Sequence, residues 1–198
     1  MARDKHLQKR ALIRIYVVAV LLAAGIFFSF IGLTKNSQGA KDRYDTLISV
    51  DEAGGDVETA LNDLRTYIYS HMNTQIGSDL GIRPPIQLKG TYDRLVTTEE
   101  ERVTKAGEAL YATAQADCES RLPTGFSGSN RLACIEAYVD SNAINSQDIE
   151  DDFYKFDFAP PIWSADLAGI SIIFSGILGF MLAVDILLYF RTRHTVQM

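Results

Sequence analysis

The chain has 198 residues, a formal net charge of −6 and 47 % hydrophobic residues. That length leaves room for one domain of ordinary size beside any membrane segments. Its acidity argues against a phosphate-binding surface, so no nucleic-acid partner is expected.

Composition in windows says more than the average. Residues 1–14 form a basic tail with Arg3, Lys5, Lys9, Arg10 and Arg14. Residues 15–33 carry no charge and are rich in Val, Leu, Ile and Phe. As a helix such a run spans roughly 30 Å, enough for the hydrocarbon core of a bilayer. The run is longer than the apolar core of a signal peptide, and no A-x-A site follows it, so it is expected to stay as an anchor.

Residues 34–166 form the expected external domain, and their pattern is helical. Residues 38–50 read as a helix that continues the first membrane segment outward. Val57, Leu61, Leu64, Ile68, Met72 and Ile76 recur at three and four, which predicts a helix over about 55–78. The Gly- and Pro-marked stretch GSDLGIRPPIQL then breaks the pattern. Pro84 and Pro85 would stiffen that turn, as a contact site or as a plain solvent-facing connection. A second long helix is predicted over about 88–122, with Tyr92, Leu95, Val96, Val103, Ala106, Leu110, Ala114 and Cys118 on its apolar side. PTGFSGSN makes a turn, and a further helix is predicted near Arg131–Ser141, with Leu132, Ile135 and Val139 on its stripe. β-Branched alternation is absent. The fold class that follows is all-α: two transmembrane helices flanking an antiparallel three- or four-helix bundle.

Cys118 and Cys134 lie on either side of the PTGFSGSN turn, where an antiparallel hairpin brings them level. In an oxidising compartment a disulfide is expected there. It would close a loop of about 17 residues and stabilise by about 3 kcal/mol in the chain-entropy account.

The domain offers no standard catalytic constellation. It lacks the phosphate-binding, dinucleotide-binding, zinc-protease and nucleophile-elbow motifs. His71 is its one histidine and reads as a packing or surface residue. Glu99, Glu100 and Glu101 precede Arg102 and Lys105, which describes a solvated face with i,i+4 pairs. Asp148, Glu150, Asp151 and Asp152 form a candidate cation site, since clustered oxygens suit Ca²⁺; they do not match the calcium-loop pattern, and plain surface acidity is the competing reading. No catalytic residue, cofactor or resident metal is expected.

The stretch DDFYKFDFAPPIW leads into the second membrane segment and puts Trp163 where an interfacial anchor belongs. Residues 167–190 form that segment, with a single charge at Asp185. Ser171, Ser175, Gly179 and Ala183 recur every fourth residue and suggest a stripe on which another helix packs closely. A carboxylate inside a membrane needs a partner, and Arg14 sits at a similar level, so Arg14 and Asp185 are expected to pair. Residues 191–198 are a short basic tail with Arg191 and Arg193. The middle segment carries basic charge near the membrane only at Lys35, Lys41, Arg43 and Lys155. The balance predicts both termini in the cytoplasm and the inner or plasma membrane of the cell envelope as location.

The order of tail, helix, external helices, helix and tail resembles in outline the extracytoplasmic half of bacterial helical sensor receptors. It departs from them because about eight residues follow Phe190, with no room for an output domain. The expected function is therefore non-enzymatic: a scaffold or accessory subunit that sits in the lipid bilayer and acts through protein partners or as a homo-oligomer. The alternative is a sensory, ligand-binding subunit whose output lies in another chain.

Overall fold

The computed structural model describes residues 2–76, 84–121 and 128–197, with side chains outside 2–8, 129 and 192–197. The GSDLGIR and PTGFS stretches, and the side chains of Arg3, Lys5, Arg193 and His194, lie outside this description. The chain is mostly helical: α1 is Ala2–Ala53, α2 Val57–Ser70, α3 Lys89–Arg121, α4 Ser129–Ser141 and α5 Leu167–Gln197. Segments of α1 and α5 are long and apolar enough to cross a membrane, and both flank a helical core. Large apolar side chains cover their outer faces, including Val20, Phe27, Phe30, Ile170, Phe180 and Leu187. Soluble proteins rarely expose a continuous apolar surface of that extent.

Two compact units divide the chain. The first holds residues 1–50, 56–85 and 157–198. In it α1 runs unbroken from the apolar block through residues 38–50. Asp56 starts α2, its carboxylate accepting the Thr59 N–H at 3.0 Å and the Thr59 hydroxyl at 2.7 Å. Tyr67 lies against Gly39, and Arg43 meets both Asp63 and the Tyr67 ring. Rising numbers on α1 thus meet falling numbers on α2, an antiparallel pair whose core holds Ala40, Leu47, Leu64 and Ile68.

α2 stops at Ser70, eight residues before the predicted end at 78. Asn73 adopts a left-handed backbone with φ 59°. Thr74, fully buried, donates to the His71 carbonyl at 2.8 Å. Asn36 donates to the Met72 carbonyl, and the Ser164 hydroxyl accepts the Met72 N–H. Side chains from elsewhere take the bonds that a further helical turn would have made, so the apolar spacing at Met72 and Ile76 does not extend the helix.

The second unit holds residues 51–55 and 86–156. Gly54, at φ +68°, ends α1. Ile86–Gln87 (β1) pairs antiparallel with Lys155–Phe156 (β2), Ile86 opposite Phe156. A 3-10 turn, Asp151–Phe153, precedes β2. This ribbon corrects the purely α expectation; two-residue strands are too short to show any alternation. α3 and α4 pack as a hairpin around Ala114, Cys118 and Ile135, with Cys134, Tyr138 and Val139 at the edge. Leu132, expected on the α4 stripe, is exposed instead.

Candidate functional site: the membrane-length helix pair

The buried residues of α1 begin with Val18, Gly25, Ser29, Gly32, Asn36 and Ala40 and follow one stripe. On α5 the corresponding positions are Ala168, Ser171, Ser175 and Leu178, then the half-buried Leu182 and Asp185. Steps on α5 alternate between three and four, and those on α1 are three, four or seven, a period of about 3.5 that keeps a seam facing its partner along two helices. Contacts fix the direction. A Cβ on Gly32 would meet the Ala168 backbone at 2.6 Å and a Cβ on Gly25 the Ser175 hydroxyl at 2.6 Å. Further along, Arg14 Nε lies 2.9 Å from Asp185 Oδ2. The two helices are therefore antiparallel and backbone-close at the glycines.

The expected i,i+4 stripe is only half in this seam. Ser171 is buried and Ser175 meets Gly25, whereas Gly179 has open space at its Cβ position and Ala183 is exposed. Four residues turn a helix about 40° beyond a full circle. A strict four-residue stripe therefore drifts out of contact, and Leu178 occupies the place given to Gly179.

Polar groups within the seam are mostly satisfied locally. Ser29 donates to the Gly25 carbonyl at 2.9 Å and Ser171 to the Leu167 carbonyl at 2.6 Å, within their own helices. The Ser175 hydroxyl is buried without a hydrogen bond; it points at Gly25, whose bare Cα lets it approach. The Asp185 side chain is 10 % exposed and that of Arg14 63 %. Arg14 thus covers the carboxylate while its own stem and head remain largely open.

The opposite end of the seam carries a polar knot. Asn36 donates to Asp166 Oδ2 at 2.6 Å and to the Met72 carbonyl at 3.1 Å. Asp166 Oδ1 accepts the Gly169 N–H at 2.9 Å and so caps α5. Asn73 donates to the Leu33 carbonyl at 3.2 Å. Burial pushes the Asp166 carboxyl up. Hydrogen bonds from Gly169, Asn36 and Ser164, with the nearby His71, outweigh this and hold it below the ordinary carboxylate range. Gly169 also admits Trp163: a Cβ there would overlap the Ser164 carbonyl oxygen and come within 2.7 Å of the indole nitrogen.

His71 closes a stack beside this knot. Its ring lies 4.1 Å from that of Tyr67, and the Arg43 guanidinium sits 4.0 Å from the Tyr67 ring centroid. Burial raises the Tyr67 phenol, partly offset by Arg43, while Asp166 and Asp42 add to the rise. The histidine packs, in line with the reading of it as a structural residue.

Within the second unit, Cys118 and Cys134 form a disulfide. The acidic cluster does not gather. Asp151 turns to Lys155 at 2.6 Å and to the Tyr154 hydroxyl at 2.9 Å. No group of three metal-ligating side chains converges among the described residues. The candidate cation site at Asp148, Glu150, Asp151 and Asp152 is therefore corrected to solvated surface acids, one of them paired with a lysine.

Sequence reasoning missed the role of two carboxylates, Asp51 altogether and Glu99 beyond its charged helix face. Asp51, with its side chain 2 % exposed, accepts the Gly90 and Thr91 N–H groups at 2.7 Å each, the Thr91 hydroxyl at 2.6 Å and Arg94 at 2.9 Å. It caps α3 from a distant point in the chain, beside Gly90, whose Cβ would strike the Asp51 carbonyl. Glu99 accepts Arg102 and the Gln147 N–H at 2.6 Å. The signal available was slight: KGT opens α3 without a capping side chain of its own, so its first N–H groups needed a remote acceptor.

Comparison with protein-family models, with curated proteins and with solved structures returned no match.

Proposed function

We propose that the chain is a two-pass membrane protein that acts through protein partners, as a scaffold or accessory subunit, or by self-association. The observation that carries this reading is the α1–α5 seam. Direct contact at Gly25 and Gly32 makes the pair a rigid anchor, and its outer faces are covered by side chains suited to lipid or to another membrane helix. Two cavities lined by described residues, one along Glu58–Arg65 and one along Asp93–Thr98, are open helix surfaces.

The basic residues flanking the two helices support both termini in the cytoplasm and the acidic middle outside. The Cys118–Cys134 bridge agrees with an oxidising exterior, as at an inner or plasma membrane. The direct test is in-cell crosslinking followed by mild-detergent purification from native membranes. Specific crosslinked species, retained after membrane washing, are expected. Recovery of monomer alone, under conditions that trap a known membrane complex, would sink the reading.

A second reading is a sensory subunit. The groove bounded by Glu58, Thr59, Leu61, Asn62 and Arg65 has a volume of about 540 Å³, within the range of small-molecule sites. A ligand-induced thermal shift abolished by Arg65→Ala would favour it.

A further inference from the structure

Ile162 is 98 % exposed and Trp163 49 % exposed, although both stand within five residues of the start of α5. An isoleucine so bare makes no contribution to a fold in water. Tyr69 is exposed as well and meets Phe158 edge-on, with ring centroids 5.9 Å apart. The level of these groups is fixed. The end of α2 is tied to the end of the uncharged block by Asn73 bonding to Leu33 and by Asn36 bonding to Met72. Trp163 is held beside Gly169, one residue from the Gly32–Ala168 contact. Phe30 at the end of the uncharged block of α1 and Leu167 and Ile170 in the first turn of α5 are exposed as well.

We propose that Tyr69, Phe158, Ile162 and Trp163 form a collar embedded in the headgroup–acyl boundary of the outer leaflet. The occupant is the lipid surface, because these groups stand at the level where the apolar stretch of α1 ends and that of α5 begins. The chemistry fits: a tyrosine and an indole each offer an apolar body and a polar tip, which suits the interface. Pro160 and Pro161 lack the N–H that would be hard to satisfy there. The collar sets the depth and tilt of the pair and brings the end of α2 to the membrane surface. This inference rests on the membrane-spanning reading above.

The chain has a single tryptophan, so Trp163 reports on itself. The full chain is reconstituted into phosphatidylcholine–phosphatidylglycerol vesicles carrying lipids brominated either near the headgroup end or near the middle of the acyl chain. Trp163 should be quenched several-fold more by the shallow bromines than by the deep ones and be poorly accessible to aqueous iodide. In a Trp163→Phe background, Ile162→Trp should show the same shallow depth, and Phe180→Trp should be quenched most by deep bromines. Free access of iodide to Trp163 and to I162W, with F180W still quenched by the deep bromines, would overturn the collar and leave the spanning pair standing. Loss of bromine quenching at all three sites would overturn both. Shielding from iodide without bromine quenching, rising with protein-to-lipid ratio, would assign the patch to a second copy and overturn the lipid assignment.

Discussion

The α1–α5 seam and the α3–α4 hairpin both hold two helices side by side, and they do so by different means. The seam uses small residues and close backbones: Gly25 against Ser175, Gly32 against Ala168. The hairpin uses a thin apolar core of Ala114, Cys118 and Ile135 closed by a disulfide. The difference follows from the surroundings each must work in. Lipid tails give apolar side chains no reason to leave them for one another, so a membrane pair gains from shape and local hydrogen bonds. In water burial does drive association, but two helices alone bury too little, so a covalent link makes up the deficit.

Charge is handled with the same contrast. Asp51 is buried and receives four hydrogen bonds at the start of α3, whereas Glu99, half-buried beside the solvent-facing Arg102, holds the Gln147 segment against the same helix. Removing the buried group should have the largest effect of any single change. Asp51→Ala leaves the Gly90 and Thr91 N–H groups without their acceptor and takes the carboxylate from Arg94, which keeps the Asp51 carbonyl and the Thr91 hydroxyl, and should cost about 4 kcal/mol. Urea unfolding followed by circular dichroism would measure it. An Asp51→Asn variant keeps the shape and should recover part of the loss, because an amide oxygen can serve one N–H.

The glycines sharpen the comparison by sign. Gly32→Ala puts a methyl group 2.6 Å from the Ala168 backbone and should destabilise the pair by about 2 kcal/mol. Gly179→Ala meets nothing within 4 Å and should instead stabilise by about 0.5–1 kcal/mol, since alanine is the better helix former. Thermal denaturation of the two variants in one detergent reads both. Equal and small effects would mean that the helices do not touch at Gly32.

Next comes the hairpin's own link. Cys118→Ser with Cys134→Ser should lower the stability of the α3–α4 unit by about 3 kcal/mol at most, less if the reduced chain keeps residual structure. The α1–α5 seam, whose contacts involve neither residue, should be unaffected by the same pair of changes. Hydrogen exchange resolved by segment would separate the two: faster exchange in 105–121 and 130–141, unchanged exchange in 18–32 and 168–182.

How much of this was legible in the sequence depends on how local the cause was. The apolar blocks, the bounds of α3 and the level of the two cysteines all follow from spacing along one stretch of chain. The C-terminal end of α2 was misread because Asn36 and Ser164, far away in sequence, decide it. The stripe on α5 was half right because small residues every fourth position satisfy a rule of composition, while contact obeys a 3.5-residue period that lets Leu178 displace Gly179. Asp51 was invisible as a cap: an acidic residue near a helix end has many ordinary roles, and only the approach of Gly90 reveals this one. The acidic run 148–152 made the opposite error possible, since adjacency in sequence placed four acids together and the backbone turned them apart.

The weakest link in the comparison is the surface latch, and pH can isolate it. Hydrogen bonds from Arg102, then from the Gln147 N–H, lower the Glu99 carboxyl from 4.5 to about 2. A lowered folded value means that the stabilisation is present in full above about pH 4.5 and is lost as pH falls toward 2. The Gln147 amide resonance should therefore hold steady from neutral pH down to about 4 and shift with a midpoint near 2. Glu99→Gln should remove that titration while leaving the helix content of α3 intact. Because the Arg102 guanidinium faces solvent, added salt should weaken the latch. It should leave the Asp51 cap nearly untouched, since a carboxylate shut away from water is also shut away from counterions. A Gln147 shift insensitive to both pH and salt would mean that backbone packing, and not Glu99, holds residues 142–150 in place.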